Sequence, residues 1–203
     1  MPAEFRLFFD NEAADEARQD MFDEIRVDQS IGMATEAELT VNLMVDSEGV
    51  WSDVADDWTQ PFARVRVEVK ARSGEFVPLI DGPVVAQFFD LNSAPNQSRL
   101  VLTVNDDSVL LNRQEQVVLF EDMTASDIAQ KVFADEGLTP DVDTVAASGS
   151  TLDRVVVQRG TAMNLLRDIA RRHGMYVYVK PGDVPGQSIG VFERLDLAPA
   201  DGI

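Results

Sequence analysis

Residues 64–71 read Arg-Val-Arg-Val-Glu-Val-Lys-Ala, the most regular stretch of this 203-residue chain. Its apolar residues fall on one side of an extended backbone and its charged residues on the other, because side chains of a strand alternate between two faces. Period two over eight residues is typical of a strand with one face in a core. Ser73-Gly74 follows and favours a tight turn, so the segment predicts the first arm of a hairpin.

The return arm of this hairpin covers residues 75–90 and contains Pro78 and Asp81-Gly82-Pro83. Proline has no N–H to donate to a neighbouring strand, so we expect a bulge or kink there. Further strands are predicted at residues 4–9, 22–29, 36–45, 98–105 and 115–120, with a loop or short helix at 10–20. These strand lengths and turn spacings predict an all-β domain over residues 1–121, either a barrel or a sandwich.

The period changes after residue 121. Thr124, with Asp127 three residues later, predicts a helix N-terminus, and Gly137 fits its end. A second helix is predicted from Thr161 to Gly174, with basic residues in its last turn. A polar, flexible connection is expected at 139–153, and strands at 154–158, 175–180 and 187–192. The prediction for residues 122–203 is a small α+β domain, so the chain is classed as α+β, mainly β.

Acidic residues dominate the chain, with 36 Asp and Glu against 17 Lys and Arg and a formal net charge of −19. Residues 1–60 alone hold 16 acids and 3 bases. Such a surface repels phosphate, which argues against specific nucleic-acid binding and against binding to anionic membranes. No run approaches the roughly 20 apolar residues that cross a bilayer. Adaptation to high salt is an alternative cause of this skew.

Few residues could carry chemistry. The chain has no cysteine and one histidine, His173, so cysteine-ligated or multi-histidine metal sites are excluded. His173 is a candidate general base, or simply a cation at a helix end. Acidic clusters at Asp53/Asp56/Asp57, Asp106/Asp107 and Asp141/Asp143 lack the glycine and closing glutamate of a calcium loop. We therefore expect no catalytic, metal or cofactor-binding residues and no enzyme.

Two tryptophans, Trp51 and Trp58, lie in the long acidic connection 46–60. Buried aromatic side chains often supply much of the energy of protein interfaces. These two are therefore the candidate partner-contact residues of the chain. The alternative, given equal weight, is that they cover the end of the β domain.

Three stretches follow one another in a recognisable order. The first is Asn-Asp-Asp-Ser-Val-Leu-Leu-Asn-Arg-Gln at 105–114, and the second is the helix containing Thr-Ala-Ser-Asp-Ile-Ala with Gly-Leu at 137–138. The third runs from Val-Val-Gln at 156–158 through a helix with paired leucines and basic residues to Gly-Met-Tyr-Val-Tyr at 174–178. A fourth stretch, Asp81-Gly82-Pro83-Val84, has the pattern Gly-x-Val in the strand that follows the first hairpin. In this order the chain resembles the phage late control protein D family, which includes baseplate hub proteins of contractile tails and the N-terminal part of type VI secretion spike proteins.

The resemblance implies a structural baseplate hub component of a phage tail or tail-like injection system, without cofactors. Such proteins are homotrimers that contact the tail tube protein, the spike protein and other baseplate proteins. It also implies synthesis in the bacterial cytoplasm, a place in the virion tail or injection particle, and a second tube-like domain that would begin near residue 203. An acidic lumen would let DNA or protein cargo pass without sticking.

Two other functions fit the composition. One is an acidic binding or inhibitor module, which predicts carboxylates gathered on one convex face. The other is a glycan hydrolase associated with a tail, which needs two carboxylates facing each other across a cleft.

Overall fold

We describe the chain from a computed structural model, for residues 4–30, 32–45, 51, 57–94, 97–146 and 155–194. The chain forms two compact units. The first comprises Met1–Asp107 and Lys180–Ser188, and the second comprises Ser108–Val179 and Ile189–Ile203. Strands predominate and helices are few, which confirms the α+β, mainly β class.

A seven-stranded antiparallel sheet forms the first unit, with strand order β2-β1-β5-β6-β7-β4-β3. It curls into a half-barrel. Its strands are β1 (Phe5–Phe9), β2 (Glu12–Ala13), β3 (Phe22–Asp28), β4 (Glu36–Leu43), β5 (Arg64–Lys70), β6 (Phe76–Asp90) and β7 (Ser98–Asn105). The short helix α1 (Glu16–Gln19) and a 3₁₀ turn (Asp57–Thr59) complete the described elements.

The long strand β6 bends the sheet. Its register against β5 slips between Ile80 and Pro78, and its register against β7 slips between Val84 and Ala86. Each slip leaves one extra residue on β6, which bends and twists a strand. The expected irregularity around Pro78 and Pro83 is thus confirmed as two bulges. Between them, a Cβ on Gly82 would lie 2.0 Å from the backbone oxygen of Asn105, so only glycine fits there.

The core of the first unit lies on one face of this sheet. The alternating apolar residues of β4, β5 and β7 are almost fully buried there. The ring of Trp58 joins this core, with its centroid 5.2 Å from that of Phe9 and 5.7 Å from that of Phe22. The predicted strand pattern is therefore confirmed on this face.

The second unit packs two helices against two small sheets. Its elements are a 3₁₀ helix (Asp107–Asn112, whose first residue belongs to the first unit), β8 (Gln116–Glu121), α2 (Ala125–Asp135), β9 (Thr139–Val142), β10 (Val155–Gly160), α3 (Ala162–His173), β11 (Tyr176–Pro181, whose last two residues belong to the first unit) and β12 (Ser188–Glu193, whose first residue belongs to the first unit). The order is β10-β8 in one sheet and β11-β12-β9 in the other. β8, assigned from sequence to the first domain, belongs to the second unit, where it pairs with β10.

One element of this unit differs from the sequence prediction. Residues 139–142, expected to be part of a flexible connection, form β9, which pairs in parallel with β12. A strand of four residues with one proline and one aspartate has little intrinsic strand signal. Its pairing partner lies about fifty residues away in the sequence, beyond the reach of any local pattern.

Helix ends in this unit follow the predicted signals. Thr124 accepts a hydrogen bond from the backbone N–H of Asp127 at 3.1 Å, and the Asp127 carboxylate accepts one from the N–H of Thr124 at 2.9 Å. This reciprocal pair is a capping box. At the start of α3, Thr161 Oγ1 accepts a hydrogen bond from the N–H of Asn164, and Gly174 ends this helix in a left-handed conformation.

We predict that Thr124→Ala lowers the free energy of unfolding of the second unit by about 1 kcal/mol, because the backbone N–H of Asp127 loses its acceptor, the Thr124 hydroxyl. Hydrogen exchange of the α2 amides, measured by mass spectrometry, reports this loss. Thr144→Ala, at an exposed position outside the helix, is the matched control and leaves exchange unchanged. Equal exchange in the two variants would contradict the prediction.

Candidate functional site

The charged side of β5 is not solvated. Arg66 is 2% exposed and Glu68 is also buried, although their positions alternate with core valines. Together with Arg64, Asp81 and Asp107 they form what we call the charged cluster. Sequence reasoning missed this cluster. Its signals were the regular charge alternation of β5 and an aspartate in the middle of the apolar strand β6.

Asp81 is the centre of the charged cluster, and its side chain is fully buried. Its carboxylate accepts hydrogen bonds from Arg64 Nε at 2.7 Å and from Arg66 Nη1 at 3.1 Å. Arg64 also forks onto the two oxygens of Asp107, at 3.1 and 2.7 Å. Arg66 Nε donates to Glu68 at 2.8 Å. Every member of the cluster therefore has an oppositely charged partner, as buried charges require.

The cluster also holds a distant segment, Lys180–Ser188, within the first unit. Arg66 Nη1 donates to the carbonyl of Gly182 at 2.8 Å and to that of Val184 at 3.3 Å. The Asp81 carboxylate accepts the N–H of Gly186 at 2.9 Å. These bonds join residues more than a hundred positions apart, so the cluster fixes the path of the chain.

The chemistry of the charged cluster is that of a structural clamp. The pKa of Arg64 is raised: burial opposes the charged form, but hydrogen bonds and attraction from Asp107 and Asp81 outweigh it. A guanidinium held in this way cannot give up its proton, and the carboxylates around it are engaged. Among the described residues, no group of three or more His, Cys, Asp or Glu side chains could hold a metal ion.

The tryptophans differ from each other. Trp58 is 4% exposed and packs among Phe9 and Phe22, an arrangement that favours the covering alternative. Its partner contact has not been tested and stays a prediction. Trp51 is half-buried beside the same core and forms an isolated β-bridge with Val45. Its partner contact stays a prediction.

The other candidate residues occupy structural positions. His173 ends α3 with Arg171 and Arg172. Asp106 is buried and accepts the N–H of Thr35 at 2.6 Å. Asp143 accepts the N–H of Arg194 at 3.0 Å. Of the first acidic cluster, Asp53 and Asp56 lie outside the described residues.

Tyr178 donates to the Glu193 carboxylate at 2.6 Å. Burial, this hydrogen bond and the negative charge of Glu193 raise the pKa of Tyr178 to about 12. The fold thus favours the neutral phenol, whose ordinary pKa is about 10. Its contribution to stability is complete below that value and is lost as pH rises toward 12.

We therefore predict that Tyr178→Phe removes part of the alkaline destabilisation between pH 10 and 12. Hydrogen exchange of β11 and β12, compared between wild type and variant across this range, measures it. Tyr176→Phe, two residues away on an exposed position, is the control. A wild-type and a Tyr178→Phe protein that destabilise in parallel would contradict the assignment.

One surface of the second unit is apolar and uncovered. In the two-stranded ribbon of β8 and β10, Leu119 pairs with Val157, Val117 with Arg159 and Glu121 with Val155, so these residues share a face. Val117 is 81% exposed and Leu119 54%, and both valines of β10 are exposed as well. We call this the ribbon face. The opposite face carries Phe120 into the core of the unit.

A groove of about 210 Å³ runs along β10. On one side it is lined by Val155, Val156, Val157 and Arg159 of the strand. On the other side it is lined by one stripe of α3, made of Asn164, Leu165, Asp168, Ile169 and Arg172. Leu165 and Ile169 are buried and form an apolar floor, whereas the polar residues form the rim. The groove has a single carboxylate, that of Asp168.

In the part of the chain that the structure describes, no helix is long and apolar enough to span a membrane. No family model matches the chain, and no curated protein sequence matches it. Solved structures, in contrast, match it over nearly its whole length.

The chain is similar to a 43 kDa tail protein of prophage MuSo2 from Shewanella oneidensis, with 16% identity and a TM-score of 0.64 over 93% of this chain and 53% of that one. It is similar to a tail protein from Neisseria meningitidis, with 14% identity and a TM-score of 0.62 over 94% and 50%. A third match is a type VI secretion component of Escherichia coli, described as structurally similar to phage T4 tail proteins, with 10% identity and a TM-score of 0.56 over 83% and 46%. The chain therefore has the fold of phage tail and type VI secretion proteins, and it spans about half the length of these structures.

Proposed function

We propose that the chain is a structural component of a contractile phage tail or a tail-like injection system, at the baseplate hub. In this role a homotrimer joins the tail tube to the central spike in the virion tail or injection particle. The observation that carries the proposal is the match of both units, in order, to two phage tail proteins over more than nine-tenths of the chain. The order of motifs that resembles the late control protein D family supports it independently.

The acidic surface of the first unit fits this role. On the outer face of β3 and β4, Arg26 is paired with Asp28 at 2.8 Å and reaches Glu38 at 4.0 Å. Glu24 and Glu36 share that face, since they are in register with Thr40 and Asp28. A face with four carboxylates and one guanidinium repels DNA and acidic cargo. We propose that such a face borders the passage of the assembled tube.

The proposal assigns no catalysis to the chain. A hydrolase of the retaining or inverting type needs two carboxylates across a cleft. The groove along β10 offers Asp168 alone, and a second, shallower groove on α2 offers Asp127 alone. The charged cluster, where carboxylates do gather, is occupied by arginine.

The domain bounds predicted from the sequence, 1–121 and 122–203, differ from those of the two compact units. We propose that the first unit corresponds to the tube-like domain and the second unit to the α+β domain, followed in related proteins by a second tube-like domain. Proteolysis checks the boundary. Cleavage of the chain should leave a stable fragment that contains β1 to β7.

Light scattering and a binding experiment test the function. We expect the purified chain to have the mass of a trimer, and immobilised chain to retain the tube protein and the spike protein encoded beside it. Trp51→Ala should weaken retention of one of them, whereas Arg72→Ala, on an exposed turn of the same unit, should not. A monomer that retains neither protein would overturn the proposal.

One observation favours a second function. Carboxylates do gather on the outer face of β3 and β4, as expected of an acidic binding or inhibitor module. In that case the chain would bind a basic protein tightly in isolation. Reversal of Glu24 and Glu36 to lysine would abolish that binding and leave retention of tube and spike proteins unchanged.

A further inference from the structure

Among the described residues, the ribbon of β8 and β10 has an edge without a partner strand. In that part of the chain its sheet consists of these two strands, and antiparallel pairing uses the N–H and C=O groups of alternate residues on each strand. Among the described residues, the backbone hydrogen bonds of β10 run to β8. Within the described ranges, a row of backbone donors and acceptors on the other side of β10 therefore has no partner strand, and such edges readily accept another strand.

Helix α3 forms the far wall of the groove in which a third strand would lie beside β10. The groove has the edge of β10 as one wall and the stripe of α3 as the other, with Leu165 and Ile169 beneath. A third strand in this groove would extend the ribbon and place alternate side chains on that apolar floor. Its remaining side chains would continue the ribbon face beside Val155 and Val157.

The charge of the residues at the rim of the groove indicates which kind of segment could bind there. Arg159 and Arg172 are exposed on opposite walls of the groove. Within the described ranges neither arginine forms an ion pair with a carboxylate, although the chain has 36 acids for 17 bases. Asp168, the single acid of the groove, pairs with Arg171 at 3.3 Å. The groove is therefore positive at its rim within a strongly negative protein.

We propose that the groove between β10 and α3 binds an extended acidic segment of a partner protein, which adds to β10 as a third strand. The segment has apolar residues at every second position, for the floor, and carboxylates between them, for Arg159 and Arg172. Backbone pairing supplies affinity in this mode of recognition, and the pockets for alternate side chains supply selectivity. This site is separate from the acidic face proposed to border the passage.

The test uses the whole chain and a synthetic peptide, acetyl-Glu-Val-Glu-Val-Glu-Val-Glu-amide. We expect saturable binding, with slowed hydrogen exchange at the β10 amides. Arg159→Glu combined with Arg172→Glu weakens binding by about tenfold or more, since both rim ion pairs become repulsions. The charge-matched control, Arg72→Glu with Arg99→Glu, changes exposed arginines of the first unit and binds as the wild type does.

Two further peptides separate strand addition from simple charge attraction. The same peptide with every second amide N-methylated keeps its charge but loses hydrogen-bond donors, and we expect it not to bind. The lysine version of the peptide should not bind either. Equal binding of the N-methylated peptide, or undiminished binding to the groove variant, overturns the proposal.

Competing occupants give distinct results. If the β10 amides are already protected in the wild type and become exposed on dilution to monomer, a second copy occupies the groove and the proposal fails. If they become exposed when the chain is shortened after Arg194, residues 195–203 occupy it and the proposal fails as well. Neither result depends on retention of tube or spike proteins, so the proposed hub function is judged separately.

Discussion

Asp81→Ala should lower the free energy of unfolding of the first unit by about 3–5 kcal/mol, as breaking a buried ion pair does. Asp81 is fully buried and accepts from Arg64, Arg66 and the N–H of Gly186. Its removal takes one acceptor from the buried guanidinium of Arg66 and one from the partly buried guanidinium of Arg64, and the backbone N–H of Gly186 loses the Asp81 carboxylate. The loss of this buried carboxylate therefore costs far more free energy of unfolding than the loss of a carboxylate in an exposed ion pair.

Urea unfolding followed by tryptophan fluorescence measures this effect, because both tryptophans of the chain belong to the first unit. Asp28→Ala is the matched control: it removes an aspartate that pairs with an exposed arginine at a similar distance, and it should cost at most about 1 kcal/mol. Hydrogen exchange should also rise in residues 182–186 of the Asp81 variant. Similar unfolding midpoints for the two variants would mean that the charged cluster does not clamp the fold.

Gly190→Ala should destabilise the second unit by about 3 kcal/mol, the upper end of the usual range for overpacking. A Cβ at position 190 would lie 2.3 Å from Cδ1 of Phe133, whose ring is fully buried between α2 and β12. No real Cβ sits that close to another carbon atom. The helix must therefore move away from the strand, or the ring must leave its rotamer.

A double variant makes this prediction specific. Phe133→Leu alone leaves a small cavity and costs stability, but together with Gly190→Ala it makes room for the new methyl group. We expect the double variant to be more stable than the sum of the single effects by about 1–3 kcal/mol. Hydrogen exchange of α2 and β12 reports the second unit, and tryptophan fluorescence, which reports the first, should not change. Strictly additive effects would contradict direct contact as the cause.

Local signals explain which parts of the fold were predictable. The caps at Thr124 and Thr161 and the left-handed Gly174 depend on neighbouring residues in the chain, and the structure has all three as expected. The strand pattern of β4, β5 and β7 rests on alternation, which is also local. β9 escaped prediction because its strand character comes from pairing with β12, not from its own residues.

The candidate sites likewise combine features that local sequence patterns predict with features that depend on tertiary contacts. Alternation in β5 showed that its charged residues share a face, but not that Asp81, Asp107 and the segment 182–186 would cover that face. The position of Trp58 in the acidic connection did not predict that its ring packs beside Phe9. The groove along β10 could not be predicted, because it forms between a strand and a helix whose relative position does not follow from any local sequence pattern.

The amino-acid sequence determined the class of the fold, the helix ends, the main strands and the acidic character, since propensity, capping and charge act over a few residues or add up over the whole chain. Tertiary structure decided which charges are buried and paired, where the strand edges stay open and which apolar residues stay uncovered. These features depend on contacts between residues as far apart as Arg66 and Gly182. Burial and desolvation are properties of such contacts, so they arise only when the chain is folded.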